Sequence, residues 1–126
     1  DEQLLTRTLR IDCELALSFI NEKLYDEIQN FAPFGMGNPE PTFVSRGVTI
    51  EDMRLVGNDG RHLKFRFSQK SEVSSQQLLF EAIAFGMGER TVKFHIGDKM
   101  DIVYTIDEDT WNGNKKLQLK VKDIRK

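Results

Sequence analysis

The sequence predicts a mainly β protein with a short helical lead-in, and three observations carry that prediction. All three prolines, Pro33, Pro39 and Pro41, fall within nine residues. The apolar period changes from 3.6 to 2 just after them, and from Phe43 onward alternating runs are separated by glycine-rich turn signals. The proline segment, 32–43, is neither helix nor central strand, because proline lacks an amide hydrogen and drives the preceding residue out of helical geometry. Phe34 and Phe43 give this elbow the bulk to pack on a core, and Gly35 and Gly37 leave it free to take positive φ.

Ahead of the elbow, Leu9, Ile11, Cys13 and Leu15 alternate with Arg10, Asp12 and Glu14, which predicts a short extended piece. A helix follows: Asn21 is a suitable N-cap, Glu22 complements the first turn, and Leu24, Ile28 and Phe31 recur on one face until Pro33 ends it. Residues 44–56 are rich in β-branched side chains, with Val48 and Ile50 on one side and Thr49 and Glu51 on the other. The phase slips near Asp52-Met53, as at a bulge. Gly57-Asn58-Asp59-Gly60 is a turn signal. In the next strand Leu63, Phe65 and Phe67 alternate with His62, Lys64 and Arg66, so one face is apolar and the other cationic or titratable.

Residues 68–77 form a polar loop, and residues 78–85 read as a strand buried on both faces, since only Glu81 interrupts the apolar run. Gly86-Met87-Gly88 breaks that strand, and residues 89–96 fit either a short helix or a turn. Residues 99–106 alternate again, residues 107–114 form an acidic and polar connection, and residues 115–124 make the last strand. Leu117, Leu119 and Val121 face one way in it, while Lys116, Gln118, Lys120 and Lys122 face the other. Five strands with a connecting element between the third and fourth match a five-stranded Greek-key barrel, the OB fold. An open β-sandwich and an SH3-like barrel are the alternatives. The expected organisation is a lead-in over 1–31, the elbow over 32–43 and the OB-fold domain over 44–126.

With 126 residues, 39% of them hydrophobic and 30% charged, the chain can bury one ordinary core. No apolar run approaches the roughly 18 residues of a membrane span. Asp1-Glu2-Gln3 offers no signal peptide, and the missing initiator methionine suggests an excised fragment. Cys13 is the only cysteine. It is expected to be a buried thiol, and a cytoplasmic location follows as the default. Net charge is -2, but residues 1–40 hold three basic and eight acidic side chains, whereas the β-rich remainder is mildly basic. That asymmetry suits an anionic partner.

No catalytic constellation emerges. His62 and His95 stand far apart without metal-ligand spacing, the consecutive Asp107, Glu108 and Asp109 splay apart, and the serines of the polar loop have no nearby base. Phe34-Gly35-Met36-Gly37 and Phe85-Gly86-Met87-Gly88 repeat four letters without the strand-to-helix setting of a dinucleotide site, so both read as turns. A binding surface fits better. An OB barrel binds oligonucleotides on its second and third strands and the flanking loops. There the sequence places Arg61, His62, Lys64 and Arg66 on the second strand and Trp111, Asn112, Lys115 and Lys116 in or beside the loop joining the fourth and fifth strands. Cations track phosphates and aromatic faces stack bases, which is the chemistry of single-stranded nucleic acid.

The elbow Ala32-Pro33-Phe34-Gly35-Met36-Gly37-Asn38-Pro39-Glu40-Pro41, through Phe43, resembles the signature that precedes the OB domain of the RecJ exonucleases. The likeness continues through Val56-Gly57, Gly60-Arg61-His62-Leu63-Lys64, Ala82-Ile83-Ala84-Phe85, Gly97-Asp98, Trp111-Asn112-Gly113, Leu117-Gln118-Leu119 and Lys122-Asp123-Ile124. The resemblance implies an enzyme that degrades single-stranded DNA 5′ to 3′ in repair and recombination, with manganese or magnesium in a DHH and DHHA1 catalytic core. The Asp-His-His triplet of that core is absent from this sequence. The chain is therefore expected to be a non-catalytic, metal-free module that binds single-stranded DNA beside those domains. The alternative is a structural or protein-docking module that does not itself bind DNA.

Overall fold

The computed structural model describes residues 11–70, 77–111 and 113–126. A two-residue strand β1 (Cys13–Glu14) and a helix α1 (Glu22–Gln29) precede five long strands. These are β2 (Phe43–Val56), β3 (His62–Lys70), β4 (Gln77–Ala84), β5 (Lys99–Trp111) and β6 (Asn114–Arg125). They pair in the order β2-β3-β4-β6-β5, and β2 pairs again with β5, which closes the barrel. Every barrel pair is antiparallel except β4 with β6, where Ala82 lies opposite Leu119 and Ile83 opposite Lys120. This is the topology of the OB fold.

The alternation expected from the sequence fills the interior. Val48, Ile50, Leu63, Phe67, Met100, Ile102 and Tyr104 have no measurable exposure, and Phe65 stacks on Phe67 with ring centroids 4.9 Å apart. The expected bulge is present between Ile50 and Asp52. It exchanges the faces of β2, so that Val48 and Ile50 point inward before it and Met53 does so after it.

The lead-in is joined to the barrel by both packing and hydrogen bonds. Asn21 caps α1 through a side-chain bond from the Leu24 amide. Leu17, Ile20 and Ile28 enter the same core as the barrel residues. The Leu17 amide donates to Gln69 Oε1 at 2.7 Å, and the Leu15 amide to the Val44 carbonyl at 2.8 Å. In the elbow, Gly35 and Asn38 exchange backbone hydrogen bonds while the Asn38 amide side chain donates to the carbonyls of Phe31 and Pro33. Phe43 is buried and Phe34 half-buried against the core, as their bulk predicted.

Several expectations are corrected. Cys13 is exposed, because β1 is a two-residue edge strand paired only with β2. Phe31 follows the last turn of α1 and is 68% exposed, leaving Ile28 as the buried anchor of that face. Neither Gly35 nor Gly37 takes a left-handed conformation. β4 is buried on one face only: Ala82 and Ala84 point inward, whereas Leu79 is exposed. The open choice over 89–96 resolves as a short 3₁₀ helix, Gly88–Lys93. The connection expected over 107–114 is mostly strand, since β5 continues to Trp111 and β6 begins at Asn114. Two of the acidic residues there face basic or polar partners across the ladder, Asp109 opposite Lys116 and Asp107 opposite Gln118, while Glu108 lies opposite Leu117, and the continuous ladder overrides their weak β propensity.

Candidate nucleic-acid interface

The candidate interface is built on the outer face of β3. Inward-pointing Leu63, Phe65 and Phe67 fix the register, leaving His62, Lys64 and Arg66 to point outward at intervals of roughly 6.8 Å. Across β2, Arg54 lies opposite Lys64 and Asp52 opposite Arg66. Across β4, Ile83 lies opposite Lys64 and Glu81 opposite Arg66. The long β5–β6 hairpin extends beside this face and brings Lys116 to it.

Three of the basic residues expected from the sequence converge there. Lys64, Glu81, Asp109, Asn114 and Lys116 line one groove of about 490 Å³. Glu81 is its pivot, with Oε1 3.8 Å from Arg66 Nη2 and Oε2 3.4 Å from Lys116 Nζ. Lys120, further along β6, pairs with Asp107 at 3.4 Å. All these pairs are partly exposed and add little stability; their consequence is to hold flexible cations in place.

The remaining expected residues are placed differently. Arg61 belongs to the β2–β3 turn, 3.6 Å from Asp59, beside a second cavity of about 400 Å³ lined with Gly60, Gly86 and Glu89. His62 Nδ1 accepts the Gly86 amide at 2.8 Å, and its ring meets the edge of Phe85 with centroids 5.2 Å apart. That side chain is thereby oriented by β4 and its following turn. Lys115 pairs with Thr110 on the other face of the hairpin, within electrostatic reach of Glu22 in α1, and so points away from the groove. Asn112 lies outside the described residues, and Trp111 is described only through its backbone, which pairs with Asn114.

Sequence reasoning missed Arg54, Glu81 and Asn114. Arg54 reaches this face only because the bulge shifts β2 by one residue, and Glu81 becomes the groove's counter-charge only through the parallel pairing of β4 with β6. Neither signal exists locally in the sequence. Among the described residues, no group of three or more His, Cys, Asp or Glu side chains is arranged to hold a metal ion. The residues present thus do not fit the metal that the resemblance implies for a catalytic core. No helix among them is long and apolar enough to cross a membrane.

A closed OB barrel with a groove between its second strand and its last hairpin, where Lys64 and Lys116 meet Glu81 and Asp109, defines an OB-fold module. The RecJ OB domain family matches residues 11–123, and the chain belongs to that family. It is 29% identical over 113 residues to the single-stranded-DNA-specific exonuclease RecJ of Bacillus subtilis, covering 90% of this chain and 14% of that protein. It also superposes on the crystal structure of RecJ from Thermus thermophilus in complex with Mn2+, with a TM-score of 0.63 and 26% identity, over 99% of this chain and 18% of that one. The chain thus spans under a fifth of the length of these two relatives. A yeast mitochondrial single-stranded DNA binding protein, Rim1, shares the fold at a TM-score of 0.54 and 16% identity, over 75% of this chain and 95% of its own.

Proposed function

We propose that this chain is the single-stranded-DNA-binding module of a RecJ-like exonuclease, which in the whole protein degrades single-stranded DNA 5′ to 3′ during repair and recombination in the cytoplasm. The observation that carries the reading is the convergence of Lys64, Arg66 and Lys116 around Glu81 on the OB ligand face. Phosphate oxygens take the place of the Glu81 carboxylate on Arg66 and Lys116, and Lys64 and Arg54 extend the cationic surface across β3 and β2. Because Glu81 competes for the same cations, binding by the module alone is weak and sensitive to salt. The module performs no chemistry of its own in this reading. The DHH and DHHA1 domains of the same polypeptide, with their manganese or magnesium, cleave the strand. The lead-in over 1–31 and the elbow over 32–43 form the junction to those domains, and residues 44–126 form the barrel that holds the strand.

Fluorescence anisotropy of a labelled oligothymidylate, titrated at several salt concentrations, tests this reading. Lys64→Glu with Lys116→Glu should weaken binding at low salt by tenfold or more. The double variant should also flatten the log-log salt slope by about 0.7 for each phosphate that it no longer neutralises. Unchanged affinity and slope in the double variant would refute the assignment of the groove.

A further inference from the structure

The second Phe-Gly-Met-Gly motif, read from sequence as a turn, ends at the candidate DNA face. Phe85 follows β4 directly and is 57% exposed. A lone exposed phenylalanine means little, but this one is held on three sides. Its predecessor Ala84 is locked in the β3–β4 ladder opposite Leu63. Its successor Gly86, at φ 74°, donates its amide to His62 Nδ1, and the His62 ring supports the Phe85 ring edge-on. Two residues further, the Gly88 amide donates to the Arg61 carbonyl at 2.8 Å. A Cβ at Gly88 would lie 2.1 Å from the Gly60 carbonyl oxygen, so only glycine permits this docking. The motif therefore clamps the end of β4 onto the β2–β3 turn and leaves one aromatic ring fixed and open to solvent.

The ring stands at the His62 end of the β3 face, on the same end as Lys64, which lines the Lys116 groove. The guanidinium of Arg61 and the carboxylates of Asp59 and Glu89 line the adjacent cavity. Carboxylates there disfavour a phosphate and suit the amino and imino groups on a base edge.

From this geometry we propose that Phe85, positioned by His62 and the Gly86-Met87-Gly88 turn, is a base-stacking platform where a nucleobase of the bound strand rests. The proposal builds on the reading of the β3 face as the DNA-binding face. A preformed aromatic surface stacks a base at little entropic cost and without sequence preference.

The test compares the wild-type chain with Phe85→Ala, Phe85→Leu and Phe85→Trp on an oligothymidylate and on an abasic strand of equal length. Amide spectra of each variant report that the barrel is intact. Phe85→Ala and Phe85→Leu should bind the oligothymidylate about 5- to 100-fold more weakly. Their salt slopes should match the wild type, since every phosphate-binding cation is kept, and Phe85→Trp should restore affinity. On the abasic strand all four proteins should bind alike. Wild-type affinity for oligothymidylate in Phe85→Ala would overturn the platform while leaving the groove assignment standing. An equal loss on both strands would also overturn it, by reducing Phe85 to a structural residue. If the wild-type chain bound neither strand at low salt, the DNA-binding reading itself would fail, and the platform with it.

Discussion

The hydroxyl of the fully buried Tyr104 needs a partner inside the barrel, and Ser45 provides it. Ser45 Oγ donates to the Leu15 carbonyl at 2.6 Å, which leaves the Tyr104 hydroxyl to donate to Ser45 Oγ at 2.8 Å. Burial, opposed only in part by the Ser45 bond, pushes the Tyr104 hydroxyl up to about 12. A pKa raised on folding gives stability that is complete below the unfolded value of 10 and is lost as pH rises toward 12. The expected contribution is on the order of 2–3 kcal/mol. The melting temperature should therefore fall steeply between pH 10 and 12, and Tyr104→Phe should flatten that fall in a thermal-denaturation series. Tyr25, raised by its own burial and then by Glu108, adds to the slope that persists. Gly88→Ala should cost about 1–3 kcal/mol by forcing the turn off Gly60, read as a lowered denaturant midpoint. The sequence shows Tyr104 on the apolar face of its strand, but its partner lies 59 residues away and is invisible to any local pattern.

At the scale of elements, the β5–β6 hairpin has two faces with different tasks. One presents Asp109 and Lys116 to the groove; the other presents Glu108, Thr110 and Lys115 on the side of α1. Burial, then the nearby Glu108 and Asp26 together with a hydrogen bond to Glu108, raises the pKa of Glu22. A raised carboxyl pKa means that the contact is strongest when protonated and weakens as pH rises through the folded value. Glu22→Gln should accordingly flatten the fall in melting temperature between about pH 4 and pH 7, and an unchanged pH dependence would contradict the contact between Glu22 and Glu108. The hairpin was also the element least legible in the sequence. Its acidic run lacks β-branched residues, and only pairing along β6, with Gln118, Leu117 and Lys116, makes it a strand. β3 was legible from His62 to Phe67, because Leu63, Phe65 and Phe67 alternate without a break, but its polar end, Ser68 to Lys70, reads as loop until the ladder with β4 shows it as strand. β4 was misread since exposed Leu79 and half-buried Ile83 look like core until the sheet shows them on its outer side.

For the whole molecule, the division of charge matches the division of structure. The acidic lead-in packs into the barrel core through Leu17, Ile20 and Ile28, and Lys64 of β3 and Lys116 of β6 meet in the groove beside Glu81 and Asp109. The five long strands could be read from periodicity, which left a sandwich and an SH3-like barrel open beside the OB fold, and the resemblance carried by the elbow pointed to the family. The groove could not be read in full, since it requires the bulge in β2, the parallel β4–β6 pair and the length of the last hairpin. The most direct measurement of the central claim is an amide chemical-shift titration of the chain with a short oligothymidylate at low salt. The account predicts shifts concentrated at Lys64, Arg66, Glu81, Asn114 and Lys116, with α1 and the elbow silent. Shifts confined to α1 and the elbow, or none at high micromolar DNA, would contradict it.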